Sequence, residues 1–129
     1  ILIYSESWEE HLQHIDEVLR RLDEANFKVK AEKCQWGQDS VKFLGHVVSE
    51  KGLQMDPEKV EAIKKAEVPK NTTELQRFLG LANYYRKFVP NYAKIALPLH
   101  SIQSSKSIFN WTEQCQEAFE KLKNALSQE

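Results

Sequence analysis

Several residue types that mark specialised proteins are scarce in this sequence of 129 residues. It contains two cysteines, four glycines and four prolines. Cys34 and Cys115 lie far apart without metal-site spacing, so reduced thiols are the favoured interpretation and a disulfide stays open. The sequence also offers no glycine-rich phosphate loop and no Ser-His-Asp arrangement. These gaps argue against a disulfide scaffold, a nucleotide-binding loop and a serine hydrolase.

Long apolar stretches are missing too. No apolar run approaches the ~18 residues that a membrane-spanning helix needs. The opening ILIYSESWEEH has neither the basic head nor the small-residue cleavage site of a signal peptide. We therefore expect soluble globular material, intracellular in either the cytoplasm or the nucleus, with no membrane partner.

Acidic residues are absent from a long stretch in the middle of the chain. None lies between Glu74 and Glu113, whereas this stretch contains five basic residues: Arg77, Arg86, Lys87, Lys94 and Lys106. Residues 56–106 carry a net charge of +4, between flanks of −3 (residues 1–55) and −2 (residues 107–129). Such a region is a candidate phosphate-facing surface, although charge alone favours a solvated helix face.

The first 55 residues predict a strand, a helix and a small antiparallel sheet. Ile1–Ser5 predicts a buried strand, and Ser7 with Glu10 predicts a capping box for an amphipathic helix that ends near Asn26. FKVK and KCQW then predict short strands, and VKFLGHVV predicts a longer one. SEKG predicts a turn at Gly52 before the returning strand LQM.

The rest of the chain predicts helices. Asp56 and Pro57 open one helix, and Asn71 with Glu74 caps another that stops before Pro90. The apolar stripe of this second helix is Leu75, Phe78, Leu79, Ala82, Tyr85 and Phe88. The overall expectation is an α+β fold: a strand–helix–sheet portion followed by a small helical bundle.

Two further helices follow in the prediction. NYAKIALPLHSIQ reads as a short helix that breaks at Pro98. After an extended link over residues 104–111, Thr112 caps a terminal helix. The apolar stripe of that helix (Ala118, Leu122 and Leu126) has little left in this chain to pack on.

No catalytic constellation emerges from the residues alone. His11 and His14 are close enough on one helix to share a metal ion, but no cysteine or carboxylate cluster is placed to complete the site. Adjacent acids such as Asp16 and Glu17 point in different directions on a helix and make no carboxylate pair. From the residues alone, the chain is an α+β piece followed by a basic helical subdomain.

Three long motifs nevertheless carry a family resemblance. VKFLGHVVSEKGLQMDPEKVEAI, FLGLANYYRKFVPNYAKIALPL and FNWTEQCQEAFEKLKNAL occur in this order. The chain resembles, over essentially its whole length, the reverse transcriptase of gypsy-type long-terminal-repeat retrotransposons. Retroviral reverse transcriptases are more distant relatives. IKKAEVPKN departs from the family, which usually has a Trp-Pro before this Val-Pro.

The resemblance implies where the catalytic groups lie. In this family a Tyr-x-Asp-Asp turn, which supplies two metal-binding aspartates, directly precedes the segment that matches ILIYS. The intact polymerase would hold Mg²⁺ there, so we expect no cofactor in this chain. We expect residues 1–129 alone to be catalytically inactive and to contain no catalytic residue, although the parent protein is an RNA-directed DNA polymerase.

The resemblance also implies a domain assignment. Residues 1–55 resemble the end of the palm with its primer-grip hairpin, and residues 56–105 resemble the thumb. Residues 106–129 resemble a linker and the first helix of the connection or RNase H-like domain. In the hairpin, Phe43, Leu44, Gly45 and His46 would position the primer; the alternative is a plain hairpin in which Gly45 forms a bulge.

The thumb-like segment supplies the other candidate site residues. Gln76, Gly80 and Tyr84 share one helix face, with Asn83 beside them, and this face could lie against the minor groove of a duplex. Arg86, Lys87 and Lys94 would contact phosphates. For Gly80 the alternative is close packing of two helices.

Two functions are carried forward. The favoured one is a reverse transcriptase fragment that handles template–primer. Its partners would be RNA–DNA hybrid or DNA duplex and the rest of the polyprotein, namely the fingers, palm and RNase H. The alternative is a domesticated retroelement remnant that serves as a nucleic-acid-binding or protein-interaction module.

Overall fold

The computed structural model describes residues 1–104, 106 and 108–128. Its elements are α1 (Trp8–Glu24), a 3₁₀ turn (Ala31–Lys33), β1 (Ser40–Phe43), β2 (His46–Ser49), β3 (Gly52–Met55), α2 (Pro57–Lys64), α3 (Thr72–Tyr84), a second 3₁₀ turn (Arg86–Phe88), α4 (Tyr92–Ser101) and α5 (Glu113–Ser127). The three strands form one sheet in the order β1-β2-β3. The predicted α+β class is confirmed.

The chain divides into two compact units. The first is Ile1–Leu53, and the second runs from Gln54 onward. The assignment of residues 1–55, 56–105 and 106–129 to palm, thumb and connection stays a prediction. Ser105 and Ser107 of the expected extended link lie outside the described residues.

The first unit contains the predicted amphipathic helix. The Ser7 side chain accepts the Glu10 N–H at 3.2 Å and caps α1 as predicted. At the other end Asn26 takes a left-handed conformation (φ 61°), and the Phe27 N–H donates to the Leu22 carbonyl at 2.9 Å. This arrangement is a Schellman motif, which satisfies carbonyls that the helix end leaves unpaired.

The apolar side chains of the first unit are largely exposed. Among residues 1–53, all of which the structure describes, His46 is the one buried side chain. The large apolar residues that are exposed there include Ile1, Tyr4, Trp8, Leu12, Phe27, Trp36 and Leu44. This unit therefore has no apolar core of its own.

Three predicted strands are wrong. ILIYS and FKVK have no regular secondary structure, and KCQW begins in the first 3₁₀ turn. A strand exists only where a neighbouring strand offers partners for its N–H and C=O groups. Within the described residues, that condition is met by β1, β2 and β3 alone.

The predicted long strand VKFLGHVV is a hairpin instead. β1 and β2 pair antiparallel, with Val41 opposite Val48 and Phe43 opposite His46. Leu44 (φ 49°) and Gly45 (φ 77°) connect them with the two positive φ angles that a type I′ turn requires. Gly45 therefore lies in the turn, and the bulge that was its alternative role is wrong.

The predicted helix starts of the second unit are confirmed. Each cap side chain accepts a backbone N–H of the first turn: Asp56 from Glu58 (3.0 Å), Asn71 from Glu74 (2.9 Å) and Thr112 from Cys115 (3.2 Å). These bonds satisfy N–H groups that have no partner within the helix. They fix where α2, α3 and α5 begin.

The core of the described chain lies in the second unit. The predicted α3 stripe is confirmed, because Leu75, Phe78, Leu79, Ala82 and Tyr85 are buried, while Phe88 is half-buried. The α5 stripe is also in this core: Ala118, Leu122 and Leu126 are buried, and α5 packs on α2 and α4. The expectation that α5 has little to pack on is therefore wrong.

Two helix boundaries differ from the prediction. α3 ends at Tyr84 and gives way to the second 3₁₀ turn, well before Pro90. α4 continues through Pro98, where a break was predicted. Proline removes the N–H that would bond the Lys94 carbonyl, but Lys94 is exposed, so water can satisfy that carbonyl.

Both cysteines carry free thiols, as the favoured interpretation predicts. Within the described part of the chain, none of the helices combines the length and apolar content needed to cross a bilayer.

An ion cluster on α1 generates a pH prediction. Arg20 and Arg21 donate to the Glu17 carboxylate at 2.8 and 2.7 Å, and these bonds lower the pKa of Glu17 to about 2. Because unfolded glutamate has a pKa of about 4.3, this group stabilises α1 above that pH and ceases to do so as the pH falls through 2.

We expect an NMR titration of the Glu17 carboxyl carbon to give a midpoint near pH 2. In the double variant Arg20→Gln with Arg21→Gln, the midpoint should rise to the ordinary glutamate range. High salt should raise the wild-type midpoint as well, because the ion pairs of Glu17 with Arg20 and Arg21 are exposed and salt screens them. Identical midpoints in wild type and variant would contradict the assignment.

Lys123 generates a stability prediction. Its ammonium donates to the Ala66 carbonyl just beyond α2 at 2.7 Å and lies 5.2 Å from the Phe119 ring centroid. Lys123→Met keeps the apolar stem but removes the donor and the charge, so we expect the free energy of unfolding to fall by about 1–3 kcal/mol. Denaturant unfolding measures this.

Lys121→Met is the matched control on the same helix. Lys121 is exposed, and its ammonium lies 3.9 Å from the Glu117 carboxylate, a long ion pair on the surface of the helix. Its loss should change stability by less than about 0.5 kcal/mol. Equal losses in the two variants would mean that the contact with Ala66 contributes nothing.

Candidate nucleic-acid interface

One face of α3 is exposed and carries the predicted groove-facing residues. Gln76, Gly80, Asn83 and Tyr84 are all exposed. The opposite stripe of α3 is buried in the core, and the Asn71 cap sets the start of the helix. Because the buried stripe fixes the rotation of α3 about its axis, the four polar or small residues must face outward.

Gly80 leaves an open gap on this face. A Cβ atom built on Gly80 would meet nothing within 4 Å outside its own helix backbone and chain neighbours. The alternative in which Gly80 lets two helices pack closely is therefore wrong for this structure. Gly80 lies one helical turn from Gln76 and one from Tyr84 on this face, and it places no side chain between them.

Gln76 is held in place by a long-range hydrogen bond. Its Nε2 donates to the Gln103 carbonyl at 2.9 Å, across 27 positions of sequence. The segment after α4 therefore fixes the direction of the Gln76 amide. Sequence reasoning missed this bond because no local pattern links the two residues.

Tyr84 is supported by a buried neighbour. Its side chain is half-exposed, and its ring meets Tyr85 edge-on at a centroid distance of 5.0 Å. Tyr85 is buried, and burial raises the pKa of its hydroxyl, with the negative charge of Asp56 adding to the effect. The outer ring of the pair thus rests on a side chain that the core holds rigid.

Basic side chains follow directly after this face. Arg86 and Lys87 lie on the second 3₁₀ turn and Lys94 lies on α4, and all three are exposed. Burial raises the pKa of Tyr92, and the positive charge of Arg86 opposes that shift. The electrostatic effect of the Arg86 guanidinium therefore reaches Tyr92, the first residue of α4. The sequence has no acidic residue between Glu74 and Glu113, the stretch that contains these three cations.

The four candidate residues of the hairpin in the first unit differ in their exposure to solvent. Leu44 at the tip is 70% exposed, whereas His46 is 9% exposed. Phe43 and Gly45 are half-buried. Only the leucine side chain projects clearly into solvent, and the sequence motif could not distinguish it from its neighbours.

The described residues do not form a metal site. Within ranges 1–104, 106 and 108–128, no group of three or more His, Cys, Asp or Glu is placed to hold a metal ion. His11 and His14 instead direct Nδ1 to the Ser5 hydroxyl at 3.1 and 2.7 Å. The described residues, including His11 and His14, therefore do not fit the magnesium site that the resemblance implies for an intact polymerase.

Comparison with known proteins gives similarity along the whole chain. Residues 1–48 match the family described as reverse transcriptase (RNA-dependent DNA polymerase). The Tf2-3 and Tf2-4 transposon polyproteins of Schizosaccharomyces pombe are each 37% identical over 126 residues. These matches cover 98% of this chain but only 10% of each polyprotein, so the chain spans about a tenth of their length.

Two solved structures of a viral reverse transcriptase are also similar to this chain over nearly its whole length. The foamy viral protease-reverse transcriptase in complex with double-stranded DNA is similar with a TM-score of 0.78 and 31% identity. Its complex with an RNA/DNA hybrid gives 0.77 and 32%. The matches cover 96% and 95% of this chain, and 22% and 17% of the viral chains.

The open space at Gly80 generates a stability prediction. Alanine is more favourable than glycine inside a helix, and the new methyl group meets no neighbour. We therefore expect Gly80→Ala to raise the free energy of unfolding by about 0.5–1 kcal/mol. Thermal or denaturant unfolding measures the change.

Gly52→Ala is the control for this prediction. Gly52 also has open space around it, but its φ is +98°, which L-residues rarely adopt. The same methyl group should destabilise the chain there. Destabilisation by Gly80→Ala would restore the close-packing interpretation.

Proposed function

We propose, from the premise that this chain is a segment of a retrotransposon reverse transcriptase, that its exposed α3 face and adjoining basic residues bind a nucleic-acid duplex. The duplex is the template–primer, either RNA–DNA hybrid or double-stranded DNA. We assign the parent element to the gypsy type. In this proposal the hairpin at Phe43–His46 acts as the primer grip.

The observation that carries the proposal is the open surface at Gly80. The wide, shallow minor groove of an A-like duplex admits a flat, uncrowded helix face. Gly80 supplies the flat part, while the amide of Gln76 and the ring of Tyr84 flank it on the same side. Amide and phenol groups can meet sugars and base edges without reading sequence, as a polymerase that copies any template requires.

The basic residues supply the phosphate contacts. Arg86, Lys87 and Lys94 are exposed, and Arg86 and Lys87 follow the end of α3 directly. When α3 lies along the groove, a cation at the C-terminal end of α3 would contact the sugar–phosphate backbone of the duplex, because phosphates border the groove on both sides. Such contacts set affinity and register but carry no sequence information.

The similar solved structures support the class of partner. The foamy viral enzyme is bound to double-stranded DNA in one complex and to an RNA/DNA hybrid in another. Both are duplexes, which agrees with a surface that recognises groove shape and phosphates. The match to transposon polyproteins along 98% of the chain favours a polymerase segment over a domesticated remnant.

We propose that RNA-directed DNA synthesis belongs to the longer parent protein. The chain spans about a tenth of its polyprotein relatives. Fingers, the rest of the palm and RNase H would act beside it, and the palm would supply the magnesium ligands. The contribution of this chain is to hold the duplex and the primer end.

The phosphate contacts are tested by charge reversal. We expect weak, salt-dependent binding of RNA–DNA hybrid by the wild-type chain, measured by fluorescence anisotropy across a salt series. Arg86→Glu with Lys87→Glu should weaken binding, and each lost phosphate contact should reduce the log–log salt slope by about 0.9. Unchanged affinity and slope would show that these residues form only a solvated face.

The matched control is Lys64→Glu with Lys65→Glu. It alters the net charge equally, within the same unit but at the end of α2. It should leave the salt slope close to that of the wild type. If both double variants weaken binding alike, the effect comes from net charge and not from the proposed contacts.

Gly80→Ala tests the groove-facing role independently of charge. The added methyl group projects from the surface that must approach the sugars, so hybrid binding should fall although the free chain becomes more stable. If the mutant is more stable than the wild type and binds hybrid as tightly, then α3 is not part of the interface.

A further inference from the structure

The segment that follows α1, residues 27–36, carries exposed aromatic rings at both of its ends. All ten residues are described, and apart from the 3₁₀ turn they have no regular secondary structure. Phe27 is 68% exposed and Trp36 is 47% exposed. Three exposed lysines lie between these rings: Lys28, Lys30 and Lys33. Two large rings in water on one short segment indicate a surface for a partner.

Local contacts place the two rings at opposite ends of α1. Phe27 follows the C-terminal end of the helix, where its N–H donates to the Leu22 carbonyl. Trp36 precedes Gly37, and a Cβ atom built on Gly37 would lie 3.4 Å from the ring of Trp8, the first residue of α1. A helix of 17 residues is about 25 Å long, so the segment covers about that distance between its rings.

The charge of the segment is suited to a polyanion. Residues 27–36 contain three lysines against one acid, Glu32, so their net charge is +2. Most acids of the first unit lie instead on α1, where Glu17 and Glu24 are paired with Arg20. The positive charge therefore lies on the same segment as the two rings.

The combination of rings and lysines favours a single strand of nucleic acid. Unpaired bases can stack on exposed aromatic rings, and cations along the same path contact the phosphates. The bases of a duplex are already stacked on one another, so a duplex offers these rings little. Aromatic residues are common at protein–protein interfaces but lysine is depleted there, so three lysines between the rings argue against a protein partner.

We infer that residues 27–36 form a second nucleic-acid site, which binds a single strand of RNA or DNA without sequence preference. Phe27 and Trp36 stack on bases near the two ends of the site, and the three lysines contact the phosphates between them. A path of about 25 Å corresponds to a short site of about four nucleotides. The site lies within the first unit and goes beyond the proposed function, which concerns a duplex on α3.

Stacking is tested with a labelled oligomer of eight deoxythymidines, measured by fluorescence anisotropy at low salt. The wild-type chain should bind it. Trp36→Ala should weaken binding about tenfold, the scale of one lost stacking contact, whereas Trp36→Phe keeps an aromatic face and should stay close to the wild type. Leu12→Ala is the matched control, because it removes a side chain of α1 that is 51% exposed but has no ring. It should leave binding unchanged.

The phosphate contacts are tested by removing charge. In Lys28→Gln with Lys30→Gln, each lost contact should reduce the log–log salt slope by about 0.7, the value for single strands. Lys64→Gln with Lys65→Gln at the end of α2 removes the same charge and should keep the wild-type slope. Equal slopes in the two double variants would contradict the contacts of Lys28 and Lys30.

The outcomes separate this inference from the proposed function. If the wild-type chain binds RNA–DNA hybrid but not the oligomer, this inference alone is wrong. If it binds the oligomer through Trp36 but does not bind hybrid, the proposed function alone is wrong.

Two further outcomes would overturn the inference. If Arg86→Glu with Lys87→Glu abolishes oligomer binding while Trp36→Ala leaves it intact, the strand occupies the duplex surface. If Leu12→Ala weakens binding as much as Trp36→Ala, the surface is a general apolar one, as a protein partner would need.

Discussion

Burial of one apolar stripe on α3 is the constraint on which the candidate interface depends. Leu75 and Leu79 are essentially inaccessible to solvent, and the ring of Phe78 packs 4.7 Å from that of Phe119 on α5. Once this stripe is covered, the helix cannot rotate, and the residues on its other side have one direction to face. The open surface at Gly80 is thus a consequence of hydrophobic packing on the far side of the same helix.

The hairpin reaches its geometry by a different route. Its strands are held by the antiparallel pairing of β1 with β2, its turn is made by two residues with positive φ, and the His46 Nδ1 lies 3.1 Å from the Leu44 carbonyl oxygen. The direction of the α3 face in the second unit is therefore fixed by side-chain packing, whereas the shape of the hairpin in the first unit is fixed by backbone pairing and by the φ angles of its turn. The same side-chain change will have different effects in the two places: a methyl group is tolerated at Gly80 but strained at Gly52.

The sequence predicted features whose cause is local. Caps at Ser7, Asn71 and Thr112 depend on a side chain and an N–H a few residues away, so pattern alone found them. Features with a distant cause were missed, such as the burial of the α5 stripe and the bond between Gln76 and Gln103. The predicted strands failed for the same reason, since a strand depends on partners elsewhere in the chain. The candidate nucleic-acid residues came from family resemblance; the structure adds which of them are exposed.

The uneven distribution of buried apolar residues has a consequence for how the chain loses its structure. The folding free energy is concentrated in the unit that begins at Gln54, because the described core lies there, while α1 contains no buried residue. Local opening should therefore begin in the first unit. Its amide hydrogens will exchange with solvent while those of α3 and α5 remain protected, and a protease will cut between residues 1 and 53 before it reaches the helical core. The hairpin thus lies in the part of the molecule that opens most readily.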